Sequence, residues 1–275
     1  MKKFTVIFIC VSLFLRIDIF SQEGCGTLVS SEQVQLETTF TDSISEIINL
    51  GKTIYISAHI VENEDGLAGI DESAINGVIN GLNQIFETIG LRFQLLKTNI
   101  IENYNFNSLD YSSTVQELAD ISSVDNTINI YFVDYLYDIS GGAVCAFTFM
   151  PADNMDLMFF NKTCFSTTVF AEQMGHFFNL YHTHETAFGI ENANQSNCKN
   201  SGDLCCDTYA DPNLKDLVSD ECEYEGVKKD PQNNFYSPSV KNYMSSSEQV
   251  CKCFFSEEQY IRIINAVLKL KGYLL

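Results

Sequence analysis

The sequence predicts an α+β fold built as two lobes. The N-terminal lobe is a twisted mixed sheet with two long helices, and the C-terminal lobe is irregular, disulfide-rich and ends in a helix. Three observations carry this prediction. Strand-like apolar segments alternate with two segments of helical periodicity in the first two thirds of the chain. Most of the ten cysteines lie in the last third. That last third is otherwise polar until a final amphipathic segment.

The elements are predicted in chain order from the spacing of their apolar residues. The first strand covers 53–61, with Ile54, Ile56, Ala58 and Ile60 on one face. A long helix over 71–89 should end at Gly90, because glycine readily takes the left-handed conformation after a helix. The later predictions are strands at 91–95, 127–133 and 157–160, helices at 115–121, 167–179 and 256–271, and loops over 192–238.

The N-terminus has the layout of a secretory signal. Lys2 and Lys3 precede a short apolar run at 4–15, which is too short to span a bilayer. We predict a signal peptide at 1–21, a leader or short pro-segment at 22–50, and one domain at 51–275. Its N-lobe would cover 51–182 and its C-lobe 183–275. An uncleaved anchor or a buried first strand is the alternative. The mature protein is expected to be secreted, either extracellular or periplasmic.

The chain is strongly acidic, with a formal charge of −20. Loss of residues 1–21 would remove a net charge of +2 and leave −22. This balance argues against nucleic acid and anionic membrane surfaces as partners. No segment after the signal is apolar enough for membrane insertion. The carboxylates could hold calcium, although the same charge could serve solubility alone.

The cysteines favour disulfides, because the chain is predicted to be exported. A zinc ribbon is the alternative, but the sequence contains no C-x₂-C pair. Removal of Cys10 with the signal leaves an odd number. At least one thiol is therefore free or forms an intermolecular disulfide, and Cys25 is one candidate.

The segment 172–182 has the layout of the zinc-peptidase helix motif H-E-x-x-H-x-x-G-x-x-H, with three positions changed. Glu172 replaces the first histidine, Gln173 the catalytic glutamate and Asn179 the glycine. Residues i and i+4 share a helical face, so Glu172 and His176 could share a zinc ion with His182. Asn179 can still take the positive φ of the turn. Gln173 cannot accept a proton from zinc-bound water, and loss of a general base typically costs about 10²–10⁴-fold in rate.

Other segments also match features of zinc peptidases. From the N-terminus onwards they are His59 with Gly66, the helix with Leu82 to Phe86, Gly175 to Thr183, Gly202 to Thr208 with Ala210-Asp211-Pro212, and Asn242-Tyr243-Met244. Together they make residues 50–265 resemble the metzincin zinc peptidases, in particular the pappalysin and cytophagalysin family.

The resemblance implies a metzincin-like zincin fold, with Met244 in a Met-turn beneath the metal. It implies a calcium-binding loop at Asp203, Asp207 and Asp211. It also places Cys206 and Cys251 where the family has disulfide cysteines. Ser246 departs from the family, which has at this position a tyrosine thought to steady the reaction intermediate.

Three hypotheses for function follow. The first is a secreted pseudopeptidase of the pappalysin type that binds a protein or peptide in the old cleft without cutting it. The alternative is a weakly active or repurposed zinc endopeptidase in which Glu172 acts as the base. The third is a surface binding module whose cleft has no function. His184 is disfavoured as a replacement ligand by its offset from the helix, and His59 is expected to be a structural strand residue.

Overall fold

A computed structural model describes residues 23–111 and 113–275. The predicted signal peptide at 1–21 lies outside these residues. The strands are β1 (Glu23–Cys25), β2 (Lys52–Val61), β3 (Leu91–Ile101), β4 (Ser108–Leu109), β5 (Ile128–Val133), β6 (Tyr135–Leu136), β7 (Val144–Thr148) and β8 (Leu157–Asn161). The α-helices are α1 (Ser31–Glu37), α2 (Glu72–Phe86), α3 (Ser113–Ser122), α4 (Thr167–Phe177) and α5 (Glu257–Lys269).

A six-stranded mixed sheet organises the N-terminal lobe, in the order β1-β7-β8-β5-β2-β3. The strands from β8 to β3 are parallel to one another, and β7 runs antiparallel to β8. The short strand β1 pairs in parallel with the outer edge of β7. A separate two-stranded sheet joins β4 and β6. The predicted α+β fold with a mixed sheet is confirmed.

The alternating pattern of β2 explains how the core forms. Ile54, Ile56, Ala58 and Ile60 are all buried in the cluster that also receives the apolar faces of α2, α4 and α5. The opposite face of the sheet is covered by α3. The helix predicted at 71–89 is α2 followed by a 3₁₀ turn at Glu87–Ile89, and it ends at Gly90 with a φ of 62°. The two long helices of the N-terminal lobe are thus α2 and α4.

Part of the segment 22–50 belongs to the fold, which its sequence pattern did not indicate. These residues showed no core pattern, yet residues 23–37 form β1 and α1, and Gln33 is fully buried. Phe40, Ile44 and Ile48 pack against the main core. The reason lies in tertiary contacts, since short and irregular segments carry no periodicity of their own. Whether this region is a leader or pro-segment stays a prediction, as does the division at residue 51.

The C-terminal lobe is mostly irregular, as predicted, and is linked by Cys198–Cys206 and Cys222–Cys251. A further disulfide, Cys145–Cys164, lies in the N-terminal lobe. Within the described residues these pairings rule out the zinc ribbon. None of the helices in the described ranges is both long and apolar enough to cross a bilayer.

Candidate metal centre

Helix α4 carries Glu172 and His176, the first two residues of the candidate metal centre. Ser166 caps it by accepting a hydrogen bond from the Val169 amide. The helix ends at Phe177, two residues earlier than predicted, and Asn179 follows with a φ of 70°. Asn179 thereby makes the left-handed turn that glycine would otherwise make, which is as the sequence predicts. The chain then returns and brings His182 back to His176.

Four side chains converge at this point: Cys25, Glu172, His176 and His182. Their candidate ligand atoms all lie within 4.8 Å of one another. The two histidine Nε2 atoms are 3.1 Å apart, and Cys25 Sγ is 3.4 Å from His176 Nε2. Glu172 Oε1 is 3.5 Å from His182 Nε2. The structure therefore unites the three ligands named from the sequence and adds a cysteine from β1.

Three of these separations match the spacing of ligands in a tetrahedral zinc site. Zinc bonds to nitrogen, oxygen and sulfur are about 2.0–2.3 Å long, so neighbouring ligand atoms of a tetrahedron stand roughly 3.3–3.6 Å apart. The three contacts at 3.1–3.5 Å agree with that spacing, and the other pairs among the four atoms lie within 4.8 Å. The carbonyl oxygen of Leu180 lies 3.0 Å from His176 Nδ1. When Nδ1–H donates to this carbonyl, Nε2 is left free to bind metal, as is usual for ligating histidines.

The charges around the cluster come in pairs. Burial alone raises the pKa of the Cys25 thiol, but His176 and His182 hold that pKa well below its usual range. Cys25 in turn raises the pKa of His182 to about 10, against the effect of burial. Burial also raises the pKa of Glu172, but Lys252 outweighs it and holds this pKa well below its usual range. Cys25 and Glu172 are thus held as anions with His182 as a cationic partner, and binding of a metal would have to displace the proton of His182.

Lys252 is the cation next to Glu172. Its Nζ lies 2.9 Å from Glu172 Oε2, and both side chains are almost fully buried. Gln249 Nε2 donates to the same oxygen at 3.2 Å. One oxygen of Glu172 is therefore engaged by Lys252 and Gln249, while the other faces His182.

Gln173, at the position of the general base, is held by the N-terminal segment (residues 23–37, which contain β1 and α1). Its Oε1 accepts a hydrogen bond of 3.0 Å from Thr27 Oγ1, and its Nε2 donates to Cys25 Sγ at 3.2 Å. Gln173 is fully buried. The amide thus occupies the position of the base and has no basic site of its own.

The residues expected around the metal are found in structural roles. Met244 is fully buried, and a Cβ added at Gly175 would lie 2.5 Å from its Sδ, so the methionine packs directly against the metal-binding helix. Ser246 Oγ accepts a hydrogen bond from the Leu214 amide at 2.7 Å. His184 stacks on His182 but is not part of the four-residue cluster. His59 is buried and stacks on Tyr131, as expected of a strand residue.

The three aspartates of the expected calcium loop have separate roles. Asp203 is buried and accepts hydrogen bonds from Thr208 Oγ1 and the Cys205 amide. Asp207 accepts from Ser256 Oγ and the Glu258 amide at the start of α5. Asp211 accepts from Thr183 Oγ1. Among the described residues, potential metal ligands cluster around His176. The structure does not bring the three aspartates together into such a cluster.

Glu191 lies near Asp203 and went unnoticed in the sequence. Both of its carboxylate oxygens are buried without a hydrogen-bond partner in the described part of the chain. Burial, reinforced by Asp203, raises the pKa of Glu191 to about 8. Burial likewise raises the pKa of Asp203 to about 7.

Sequence reasoning missed Cys25 and Lys252 as parts of the metal centre. Cys25 was considered only as the unpaired thiol, and the odd cysteine count was the one signal that could have led to it. Of the free cysteines in the described residues, Cys253 is exposed and Cys205 is buried. The placement of Cys25 against His176 leaves Cys253 better exposed for an intermolecular disulfide, which stays a prediction.

Comparison with known proteins relates this fold to metallopeptidases. No family model matches the sequence, and a search of the curated proteins gives no match either. Among solved structures, mature mirolysin from Tannerella forsythia, in complex with a cleaved peptide, matches with a TM-score of 0.55. The identity is 16%, over 80% of this chain and 91% of that chain.

A second similar structure is metalloproteinase-II from Bacteroides fragilis. It matches at 12% identity over 81% of this chain and 55% of that chain, and its TM-score of 0.39 is too low to add weight. At these identities the likeness to mirolysin concerns the fold. The chain has a metallopeptidase-like fold. Its candidate metal-binding cluster consists of Glu172 and His176 of α4, His182 after the turn, and Cys25 of β1.

Proposed function

We propose that this protein is a secreted, proteolytically inactive metallopeptidase homologue of the pappalysin type that acts by binding a protein or peptide. The observation that carries the proposal is Gln173. An amide stands at the position of the general base, and both of its polar atoms are used by the N-terminal segment. Because an amide does not accept a proton near neutral pH, water activation in the usual manner has no acceptor there.

Zinc is the proposed metal, and its ligands would be Cys25, Glu172, His176 and His182. When bound, zinc supplies a Lewis acid that can also stabilise the fold. Catalytic zinc sites generally have three protein ligands and leave one position for water, whereas structural sites are closed. The four side chains within 4.8 Å of one another support a closed site. A closed site agrees with the absence of a base at Gln173.

The alternative is a weakly active zinc endopeptidase with Glu172 as the base. The environment of Glu172 opposes it. Lys252 lies 2.9 Å from its carboxylate and keeps the pKa well below the usual range, which makes Glu172 a poor proton acceptor. Its other oxygen lies 3.5 Å from His182 Nε2, inside the metal cluster.

Peptide binding is supported by the sheet edge and by the structural neighbour. The outer edge of β7 accepts an extended strand, here β1 of the same chain, and addition of a strand to a sheet edge is a common mode of peptide recognition. Mirolysin was solved with a cleaved peptide. Disulfides in both lobes fit an exported protein. The acidic charge supports the prediction that neither nucleic acid nor an anionic membrane is a partner.

Calcium is a second proposed ion, near Asp203. The unpartnered buried oxygens of Glu191 support this position, because oxygen ligands without hydrogen-bond donors suit a hard cation. The proposal replaces Asp207 with Glu191, since Asp207 is occupied at the start of α5. Asp211 is engaged in the same way, by Thr183 Oγ1 and the Asn213 amide, so it is not part of the proposed position.

The test combines metal analysis with a peptide-library digest of the purified chain from residue 22. We expect one zinc per chain and no cleavage, since Gln173 supplies no base. Gln173→Glu with Glu172→His is the matched reversion, and Ser246→Tyr can be added to it. Cleavage by the unaltered protein that stops on chelation would contradict the proposal. Stoichiometric zinc without cleavage, together with cleavage by the reverted protein, would support it.

A further inference from the structure

A short turn in the C-terminal lobe supplies two side chains that hold Glu172. The turn is a 3₁₀ helix at Gln249–Cys251, and Lys252 follows it directly. Gln249 Nε2 donates to Glu172 Oε2 at 3.2 Å, and Lys252 Nζ donates to the same oxygen at 2.9 Å. The charge of a candidate metal ligand is therefore compensated from one short segment of the other lobe.

The turn is anchored through Cys251. Of the three residues in the turn, Cys251 is the one that is buried, whereas Val250 is 87% exposed. Cys251 forms a disulfide with Cys222, which lies 29 positions earlier in the chain. Because Cys251 stands between the two residues that contact Glu172, the disulfide fixes the middle of the segment that holds the carboxylate.

Few apolar contacts reinforce the disulfide within the described residues. Cys251 belongs to a small apolar cluster, separate from the main core, whose other buried members are Leu214 and Val240. Hydrogen bonds of Ser247 and of the Cys253 amide to neighbouring carbonyls fix the chain on either side of the turn. Regions with few buried apolar contacts open locally at low cost in free energy. Without the disulfide, the turn between these two fixed points would therefore open more readily.

Cys222 is the cysteine of this disulfide that a reductant would reach first. Its side chain is partly exposed, whereas Cys251 is 6% exposed. A thiolate of a dithiol reductant attacks Cys222 Sγ, the S–S bond breaks, and Cys251 leaves as a thiolate that takes up a proton. The second thiol of the reductant then displaces Cys222 in the same way. The protein gains two thiols, and the reductant is oxidised to a cyclic disulfide.

We propose that the Cys222–Cys251 disulfide is a redox-sensitive latch that keeps Lys252 and Gln249 on Glu172, and that its reduction by a dithiol releases the carboxylate to the metal. Opening of the turn lets the Lys252 ammonium group return to water, where a cation is better solvated. Glu172 is carried by α4 and is 2% exposed, so it stays in place when the turn moves. Its negative charge is then left for zinc to compensate, and zinc binds more tightly. This inference rests on the proposed zinc site.

The first test measures how firmly Lys252 is held. Every sample carries Cys253→Ser, which removes an exposed thiol that could exchange with the disulfide. The purified protein is treated with an amine-acylating reagent before and after reduction by dithiothreitol, and mass spectrometry gives the acylation rate of each lysine. Lys271 is the internal control, because 2% of its side chain is exposed, as for Lys252, and it is paired with Asp156 at 2.7 Å.

After reduction we expect Lys252 to be acylated at least about tenfold faster, since a disulfide commonly stabilises the closed structure by more than that factor. Lys271 should keep its rate. An unchanged rate at Lys252 would overturn the inference. An equal rise at both lysines would also overturn it, because the whole chain would then have unfolded rather than the turn.

Dithiothreitol also opens the other disulfides, so the comparison is repeated without reductant on variants. The double variant Cys222→Ser with Cys251→Ser should reproduce the faster acylation of Lys252. The matched control is a double variant that lacks the Cys198–Cys206 disulfide, and it should acylate Lys252 at the rate of the oxidised protein. Equal acceleration in the two double variants would contradict a latch at Cys222.

The second test measures zinc affinity by competition with a chromophoric chelator, and it uses the variants because dithiothreitol itself binds zinc. Cys222→Ser with Cys251→Ser should bind zinc at least about tenfold more tightly, the factor that one hydrogen bond to a charged group carries. The same two changes should not alter the zinc affinity of Lys252→Met, which has no ammonium group to release. An equal gain in both backgrounds would refute the link through Lys252. Absence of zinc from every sample would refute the proposed metal, while the acylation rates would still decide whether the disulfide holds Lys252.

Discussion

Replacing Lys252 with methionine tests whether a metal ion and this lysine share the charge of Glu172. Lys252 Nζ lies 2.9 Å from Glu172 Oε2, with 2% and 3% of the two side chains exposed. Methionine keeps the apolar stem and removes the charge. In metal-free protein this leaves a buried carboxylate whose main cation is gone, a change that costs about 3–5 kcal/mol. Bound zinc would compensate the negative charge of the same carboxylate.

The structure therefore predicts unequal effects on the two forms. At about 2 °C per kcal/mol for a chain of this size, Lys252→Met should lower the Tm of chelated protein by about 6 °C or more. The Tm of zinc-loaded protein should fall much less. By linkage, zinc affinity should rise by up to about 10²-fold, which corresponds to about 3 kcal/mol. Thermal denaturation with chelator and with excess zinc, plus competition with a chromophoric chelator, measures both quantities.

Lys162→Met is the matched control. Lys162 is also buried and lies 3.0 Å from Asp134, and its Nζ donates to the Val61 carbonyl. It is not part of the metal cluster, so its replacement should lower the Tm equally with and without zinc. If Lys252→Met destabilised both forms by the same amount and left zinc affinity unchanged, the reasoning about Glu172 would be wrong.

Three further predictions concern the metal ligand, the acidic pair and the helix turn. Cys25→Ser should weaken zinc binding, measured by competition titration, by more than the roughly 10–100-fold typical of residues that only support a metal ligand; an unchanged affinity would exclude the thiolate as a ligand. The raised pKa values of Glu191 and Asp203 mean that the native protein holds protons which the unfolded chain has released, so stability should fall as pH rises from about 4 to about 8. In urea titrations, Glu191→Gln should reduce the dependence of stability on pH, and added calcium should oppose the loss of stability at pH 8. The same pH dependence in the variant and the unaltered protein would contradict the assignment to Glu191. Asn179→Ala should destabilise the protein by about 1–2 kcal/mol from the left-handed backbone alone, with a further loss from the Gln33 hydrogen bond. Asn179→Gly, which removes only the side-chain contact, should lose less in the same urea experiment.

Local sequence patterns were sufficient for the elements with strong periodicity. The alternation in β2, the apolar face of α2 and the turns at Gly90 and Asn179 all follow from properties of a few neighbouring residues, and all are found. The strand β7 was missed, because it is short and follows a glycine-rich loop. The strand β1 and helix α1 were missed because three and seven residues carry too little periodicity to identify.

The candidate site, too, was predictable only where local sequence fixes the geometry. Helical spacing was enough to place Glu172 and His176 on one face, and the turn at Asn179 was enough to return His182 to them, because these relations span only a few residues. The sequence likewise determined that Gln173 has no basic site, since that is a property of the amide itself. Only the tertiary structure decided that Cys25 completes the cluster and that Lys252 neutralises Glu172. Those contacts join residues 151 and 80 positions apart, and sheet pairing and core packing, not local pattern, bring such residues together.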